Sequence, residues 1–252
     1  LVGSEMCIRD RYRYIAFPII GKNNVEIDGG GAEFIFHGVI TPFVVEKSTS
    51  VTLSNLSIDW EKPFYLQAEV VDSNIKERWM DLKIFHECEP FFEGNRLGFM
   101  ANGVHLPFLG ECMPFDPKTK AVLYKGQNNV LNTETSRSTF DEKKDSLYRI
   151  NWPLNKNYPP EKGAIYVAKG PNGLNRYCPA FHLHLSKDVT MLNITIHHAG
   201  GMGIIGERTE NIHLDKVNVA LKSGTDRIVT TSADATHFCG CKGNLIIENC
   251  LF

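Results

Sequence analysis

"DVTMLNITI" (188–196) is the stretch on which the fold turns. Apolar and polar residues alternate through it, β-branched side chains dominate, and an asparagine sits near its middle. Such alternation at a period of two reads as a short strand, not a helix. Three other segments repeat the pattern: "SVTLSNLSI" (50–58), "NIHLDKVNV" (211–219) and "NLIIENCLF" (244–252). Aligning Val51, Val189, Ile212 and Leu245 brings Asn55, Asn193 and Asn249 into one column, with Lys216 as the exception. "NVEIDGGGAEFIF" (24–36) opens in the same way. Recurrence at steps of about 20 to 50 residues indicates a stacked architecture. Short strands without helical periodicity then predict an all-β chain built as a parallel β-helix. Inward Val, Ile and Leu would form apolar columns, and equivalent asparagines would bond from coil to coil. "NLS" and "NIT" also match glycosylation sequons, but their common register favours the ladder.

Between the second and third of these units the pattern stops. "FYLQAEVVDSNIKERWMDLKIF" (64–85) reads as two antiparallel strands around a polar turn, and "KTKAVLYKG", "YRINWPL" and "GAIYVAK" add strand candidates. "LNTETSRSTFDEKKDS" (131–146) reads as a polar loop. The expected organisation is first coils over 12–60, an inserted small antiparallel β-barrel or sandwich over 61–175, and further coils over 176–252. "LVGSEMCIRD" (1–10) resembles the translation of a sequencing-library adapter, so residues 1–11, Cys7 among them, are set aside. At the other end, "IIENCLF" stops within a strand-like run, which suggests a chain cut at both ends.

Composition narrows the function. The chain has 252 residues and a net charge of −2. No basic run marks a nucleic-acid footprint, and no apolar run is long enough to span a bilayer. A neutral partner such as a sugar fits better. The seven cysteines are odd in number and irregularly spaced, which is not a disulfide scaffold.

"TTSADATHFCGCKGN" (230–244) concentrates the chemistry-bearing side chains. Cys239 and Cys241 lack the second pair of a zinc site, and CxC is not the CxxC redox pattern, so packed cysteines are expected. His182 and His184 share a strand face but have no third ligand nearby in sequence; no metal and no cofactor is expected. Asp234 lies between Ala233 and Ala235, and small neighbours leave room for a ligand beside a carboxylate. With His237, Asp226 and Arg227 it makes a set suited to a sugar: a carboxylate for acid–base work and other groups for hydroxyls. His198, before "AGGMGI", either faces a cleft or is a plain turn residue.

Four stretches carry a resemblance: "IDGGGAEFIFHG", "TLSNLSIDW", "MLNITIHHAGGMGI" and above all "RIVTTSADATHFCGCKGNLIIENCLF". They resemble the family 110 glycoside hydrolases, exo-acting α-1,3-galactosidases, over most of residues 14–252. The resemblance implies a right-handed parallel β-helix with accessory β-barrels, and release of terminal α-galactose from a glycan with inversion. It also implies a secreted or periplasmic bacterial protein and no metal. It places Asp234 in the catalytic set, with the role of holding and activating water. The family's other catalytic carboxylates form an adjacent pair further on, beyond Phe252, so this chain alone is expected to be inactive. His237, Arg227, Asp226 and His198 are candidates for sugar contacts. Two rivals remain: another β-helix carbohydrate-active enzyme, polygalacturonase-like or a lyase, and a non-catalytic glycan-binding adhesin module.

Overall fold

The computed structural model describes residues 14–74, 76–85, 87–94, 96–123, 139–143, 147–151, 161–171 and 175–252. The adapter-like start, Cys7, Trp152 and most of the 131–146 loop lie outside them. The described residues are all-β, with no helix. They fall into two units, one made of the chain up to Glu61 together with Arg176–Phe252, the other of Lys62–Asn175.

The first unit begins with β1 (Tyr14–Ile20), β2 (Asn23–Phe36), β3 (Ile40–Glu46) and β4 (Thr49–Trp60). The second unit holds β5 (Leu66–Asn74), β6 (Trp79–Ile84), β7 (Glu89–Glu93), β8 (Arg96–Ala101), β9 (Val104–Leu106), β10 (Cys112–Phe115), β11 (Thr139–Glu142), β12 (Leu147–Asn151) and β13 (Ile165–Ala168). The first unit resumes with β14 (Phe181–His184), β15 (Lys187–Ile196), β16 (Ile204–Glu207), β17 (Glu210–Val219), β18 (Thr236–Cys239) and β19 (Lys242–Glu248).

Two five-stranded parallel sheets build the first unit. One has the order β1-β3-β14-β16-β18, the other β2-β4-β15-β17-β19. The chain therefore alternates, giving a strand to one sheet and the next strand to the other. The aligned aliphatic residues are true neighbours: Val51 pairs with Val189, Val189 with Ile212 and Ile212 with Leu245. Parallel register stacks like on like, so Val51, Leu53, Ile58, Val189, Met191, Ile194, Ile196 and Leu214 are all buried. On the other sheet Phe43 stacks on Phe17 and on Phe181, with ring centroids 4.5 and 5.0 Å apart. At about 25 cal/mol per Å² of apolar surface, these columns are the main stabilising term.

The polar positions stack too. Asn55, Asn193, Lys216 and Asn249 all have φ between 52 and 55°. Asparagine tolerates this left-handed region better than branched residues do. Asn193 Nδ2 donates to Asn55 Oδ1 (2.9 Å), and Asn55 Nδ2 donates to Asp28 Oδ1 (3.0 Å). Lys216 has no amide, so the ladder breaks there and Asn249 donates to Asp215 Oδ1 instead. Opposite the single Asn55, β2 inserts Gly29, Gly30 and Gly31 as a bulge between Asp28 and Ala32. A Cβ on Gly29 would lie 2.7 Å from the Asn55 carbonyl oxygen, so the glycine is required by close approach.

The second unit is antiparallel. A six-stranded sheet runs β10-β13-β5-β6-β12-β11 and a three-stranded sheet runs β7-β8-β9. β5 and β6 are the hairpin expected from 64–85. Within the stretch read as a polar loop, Thr139–Glu142 instead forms β11 against β12. The reason is Phe140, which is buried; one apolar side chain in a polar run sufficed to anchor an edge strand. Arg149 ties β12 to β6 with two 2.7 Å bonds to the Asp81 carboxylate, and its guanidinium lies over the Trp79 ring.

Candidate active site

Asp234 closes an irregular segment, residues 220–235, between β17 and β18. The last part of that segment lies along the "AGGMG" run. Ser232 N donates to Ala199 O, Ala233 N to Gly201 O, and Gly203 N to Asp234 O, at 3.2, 3.1 and 3.0 Å. The approach demands small residues: a Cβ on Gly203 would sit 2.6 Å from the Ala235 carbonyl oxygen. The backbone at Asp234 is thus held in the sheet's register, while its side chain remains 56% exposed.

His237 stands on the outward face of β18. Its neighbours Thr236 and Phe238 belong to the inward columns of Ile204 and Gly206. Its Nδ1 lies 3.0 Å from Asp234 Oδ2, and its Nε2 lies 3.7 Å from Cys239 Sγ. If Nδ1 carries the proton, the imidazole donates to Asp234 and fixes that oxygen, leaving the carboxylate's other oxygen to face solvent. A carboxylate oriented in this way can accept a proton from water.

Arg227 and His198 are placed elsewhere, in the interior. Arg227 Nη1 donates to Asp59 Oδ1 (3.0 Å) and to Trp60 O (2.9 Å), and its Nη2 donates to Glu61 O (2.7 Å). Both charged side chains of that pair are under one-tenth exposed. His198 is fully buried, edge-on to the Trp60 ring. Burial holds its pKa down to about 3, the Arg227 charge adds to the depression, and a hydrogen bond with the Thr230 backbone opposes both. In this placement both residues fix segment 220–235 rather than present groups to solvent. Asp226, beside Arg227, is exposed. The structure therefore brings Asp234 and His237 together at the surface, and Arg227 and His198 together beneath the same segment. Asp59, the partner of Arg227, carried no sequence signal; it reads as one polar residue in "SIDW".

The remaining candidate histidines, His182 and His184, face carboxylates. His182 Nε2 is 2.8 Å from Glu207 Oε2, and His184 Nδ1 is 3.7 Å from Glu46 Oε1. Among the described residues no group of three His, Cys, Asp or Glu side chains is arranged to hold a metal. Glu207 was not among the sequence candidates. It shares the outward row of Glu46, His184 and Cys239, a relation only the register reveals.

Cys241 has a structural place. Between the two sheets three successive turns carry a residue that bonds back to the strand before it: Ser48 Oγ to Glu46 O, Ser186 Oγ to His184 O, and Thr209 Oγ1 to Glu207 O. Successive turns are linked by Ser48 N to Ser186 Oγ (3.1 Å) and Ser186 N to Thr209 Oγ1 (3.4 Å). Cys241 continues this column, with Sγ 3.8 Å from Cys239 O. Both cysteines of the CGC pair are half-buried rather than packed in the core.

Comparison with known proteins gives concordant results. Residues 66–165 match the family described as GLAA-B beta-barrel domain I. The chain is 35% identical over 245 residues to the alpha-1,3-galactosidase A of Shewanella woodyi, covering 96% of this chain and 39% of the relative. To the alpha-1,3-galactosidase B of Akkermansia muciniphila it is 27% identical, covering 94% of this chain and 29% of the relative. To the alpha-1,3-galactosidase B of Bacteroides fragilis it is 29% identical, covering 97% of this chain and 40% of the relative. The chain thus spans well under half the length of these curated relatives. The resemblance to the family 110 glycoside hydrolases extends over nearly the whole chain.

Proposed function

We propose that this chain is the portion of an inverting α-1,3-galactosidase that carries the water-activating carboxylate, Asp234. The observation behind the reading is an exposed carboxylate oriented by an imidazole, in the stretch where the resemblance to family 110 is most specific. The relatives' names supply the substrate class, a glycan ending in α-1,3-linked galactose. Inversion requires a base and an acid on opposite sides of the anomeric carbon with a water between. Asp234, held by His237, takes the proton from that water as its oxygen attacks the anomeric carbon. The departing glycan oxygen needs a separate proton donor. One carboxylate cannot serve both roles in one turnover, so the reading calls for a second carboxyl group as that donor. Of the four candidates for sugar contacts, His237 and Asp226 are the accessible ones, whereas Arg227 and His198 act as positioning residues through the segment they hold. The two parallel sheets are read as faces of a right-handed parallel β-helix, the second unit as its inserted barrel, and the protein as secreted or periplasmic.

The test is galactose release from an α-1,3-galactosyl disaccharide. It uses a chain of the relatives' full length with residues 12–252 in place, and the product anomer is followed by NMR. Initial β-galactose, lost in Asp234→Asn, is the expected result. Initial α-galactose would refute inversion. Undiminished turnover in Asp234→Asn would remove Asp234 from the chemistry. Binding that survives Asp234→Ala without any turnover would favour the adhesin module.

A further inference from the structure

A groove of about 560 Å³ runs across the turns that join the two parallel sheets. Neither Asp234 nor His237 is among the residues that line it. Lys47, Lys187, Arg208 and Lys242 line it, against the single carboxylate of Glu210. A chain with a net charge of −2 thus gathers four cations around one cavity.

Parallel register sets their spacing. Lys47, Leu185 and Arg208 follow the last paired residues of β3, β14 and β16, which are neighbours in that order. Lys187, Glu210 and Lys242 open β15, β17 and β19, again neighbours in order. With strands about 4.8 Å apart, Lys47 and Arg208 stand about 10 Å apart at their backbones, and so do Lys187 and Lys242. The array is rigid at its base. Lys47 N donates to His184 O (3.0 Å), Arg208 N to Cys239 O (2.9 Å), Lys187 N to Ser48 O (2.9 Å) and Lys242 N to Thr209 O (3.1 Å). Between the cations sit Leu185, 41% exposed, in one row and Glu210 in the other. Lys187 reaches Glu210 at 2.9 Å, and Lys47 lies 3.5 Å from Glu46.

We propose that this groove binds an anionic oligosaccharide whose sulfate or carboxylate groups fall on alternate sugars. Positive charges two strands apart match a repeat of two sugars rather than one. Leu185 offers an apolar surface to the carbon-bound hydrogens of a pyranose, and Glu210 accepts from the hydroxyls of the uncharged sugar between two anions. A nucleic acid fits less well. It carries a charge on every residue, which Glu210 would oppose, and no aromatic ring lines the groove for base stacking.

The experiment is fluorescence anisotropy on the 252-residue chain at low ionic strength. The probes are labelled hexasaccharides of hyaluronan, with a carboxylate on alternate sugars, and of keratan sulfate, with a sulfate on alternate sugars. An unsulfated keratan hexasaccharide and a single-stranded DNA of equal charge serve as comparisons. One or both anionic glycans bind, the neutral one does not, and added salt weakens binding. The triple variant Lys47→Asn, Arg208→Asn, Lys242→Gln binds about ten-fold or more weakly, on the scale of exposed ion pairs. Asparagine is chosen at 47 and 208 because φ is 49° at both. Lys118→Gln, in the other unit, leaves binding unchanged. The relative affinity of the two glycans tells carboxylate from sulfate. Absence of binding to either by the folded chain, equal binding by the triple variant, or DNA binding as tight as the better glycan would each overturn the proposal.

Discussion

The most informative substitution in the fold is Arg227→Met. It removes a guanidinium that makes one bond to a carboxylate and two to main-chain carbonyls. Methionine fills much of the side chain's path but offers none of those bonds. What remains is the Asp59 carboxylate, 7% exposed, with Trp60 N donating to it at 2.8 Å and Lys222 Nζ 3.7 Å away. Breaking a buried pair by removing one partner costs about 3–5 kcal/mol. Lys222 offsets part of this, so the expected loss is near the lower end, about 3 kcal/mol. Because the chain has two units, a single melt is a poor measure, and native-state hydrogen exchange is the better assay. The amides of Val219, Ala220 and Gly203 bond to Leu251, Ile196 and Asp234 carbonyls within the first unit; their exchange should accelerate, and amides 228–234 should accelerate most. The double variant Asp59→Asn, Arg227→Met leaves no buried charge and should recover about half the loss. A loss under about 1 kcal/mol with unchanged exchange across 228–234 would refute the claim that this pair holds the segment bearing Asp234.

Four further outcomes concern other positions. His198 has a folded pKa of about 3 against an unfolded value near 6.5, so the unfolded chain binds the extra proton between them. Its contribution to stability is complete above about pH 6.5 and is lost as pH falls toward 3; His198→Gln should flatten the acid limb of a pH–stability profile. Lys216→Asn should stabilise the first unit by about 0.5–1 kcal/mol, seen as a higher denaturation midpoint, by placing an amide where the ladder now breaks. Asn193→Ala should cost about 1–2 kcal/mol, from a lost amide bond and a left-handed alanine. Cys112, whose thiol is pushed up to about 12 mainly by burial, should resist iodoacetamide in the native protein while Cys239 and Cys250 react; mass spectrometry reads the difference.

Strand type and strand register were legible because they follow from local pattern. Val51, Val189, Ile212 and Leu245 align on the shared residue pattern of their segments, and they are neighbours across adjacent strands. The asparagine column was visible for the same reason, since every turn at that position needs the same backbone conformation. What the pattern hides is any relation that depends on which strand lies beside which. Asp59 with Arg227 and Glu207 with His182 each join residues from different turns of the chain. Neither shows a motif, because no short-range spacing encodes them. Phe140 shows the opposite error: composition made 131–146 a loop, and one buried aromatic made part of it a strand.

The stretch "TTSADATHFCGCKGN" gathers residues that reach different destinations. Strand parity alone separates Phe238, turned inward over Gly206, from His237 and Cys239, turned outward; a Cβ on Gly206 would lie 2.6 Å from the Phe238 ring. Two residues later the chain has left the sheet, and Cys241 falls into the turn column of Ser48, Ser186 and Thr209. Asp234 precedes the strand, where its backbone already obeys the register of β16 but its side chain does not yet belong to any row. That is why it can be both precisely held and exposed, while the cysteines that draw the eye in the sequence are accounted for by stacking. The chemistry proposed for this stretch therefore rests on Asp234 and His237, the pair whose positions the columns of the fold leave without a structural task.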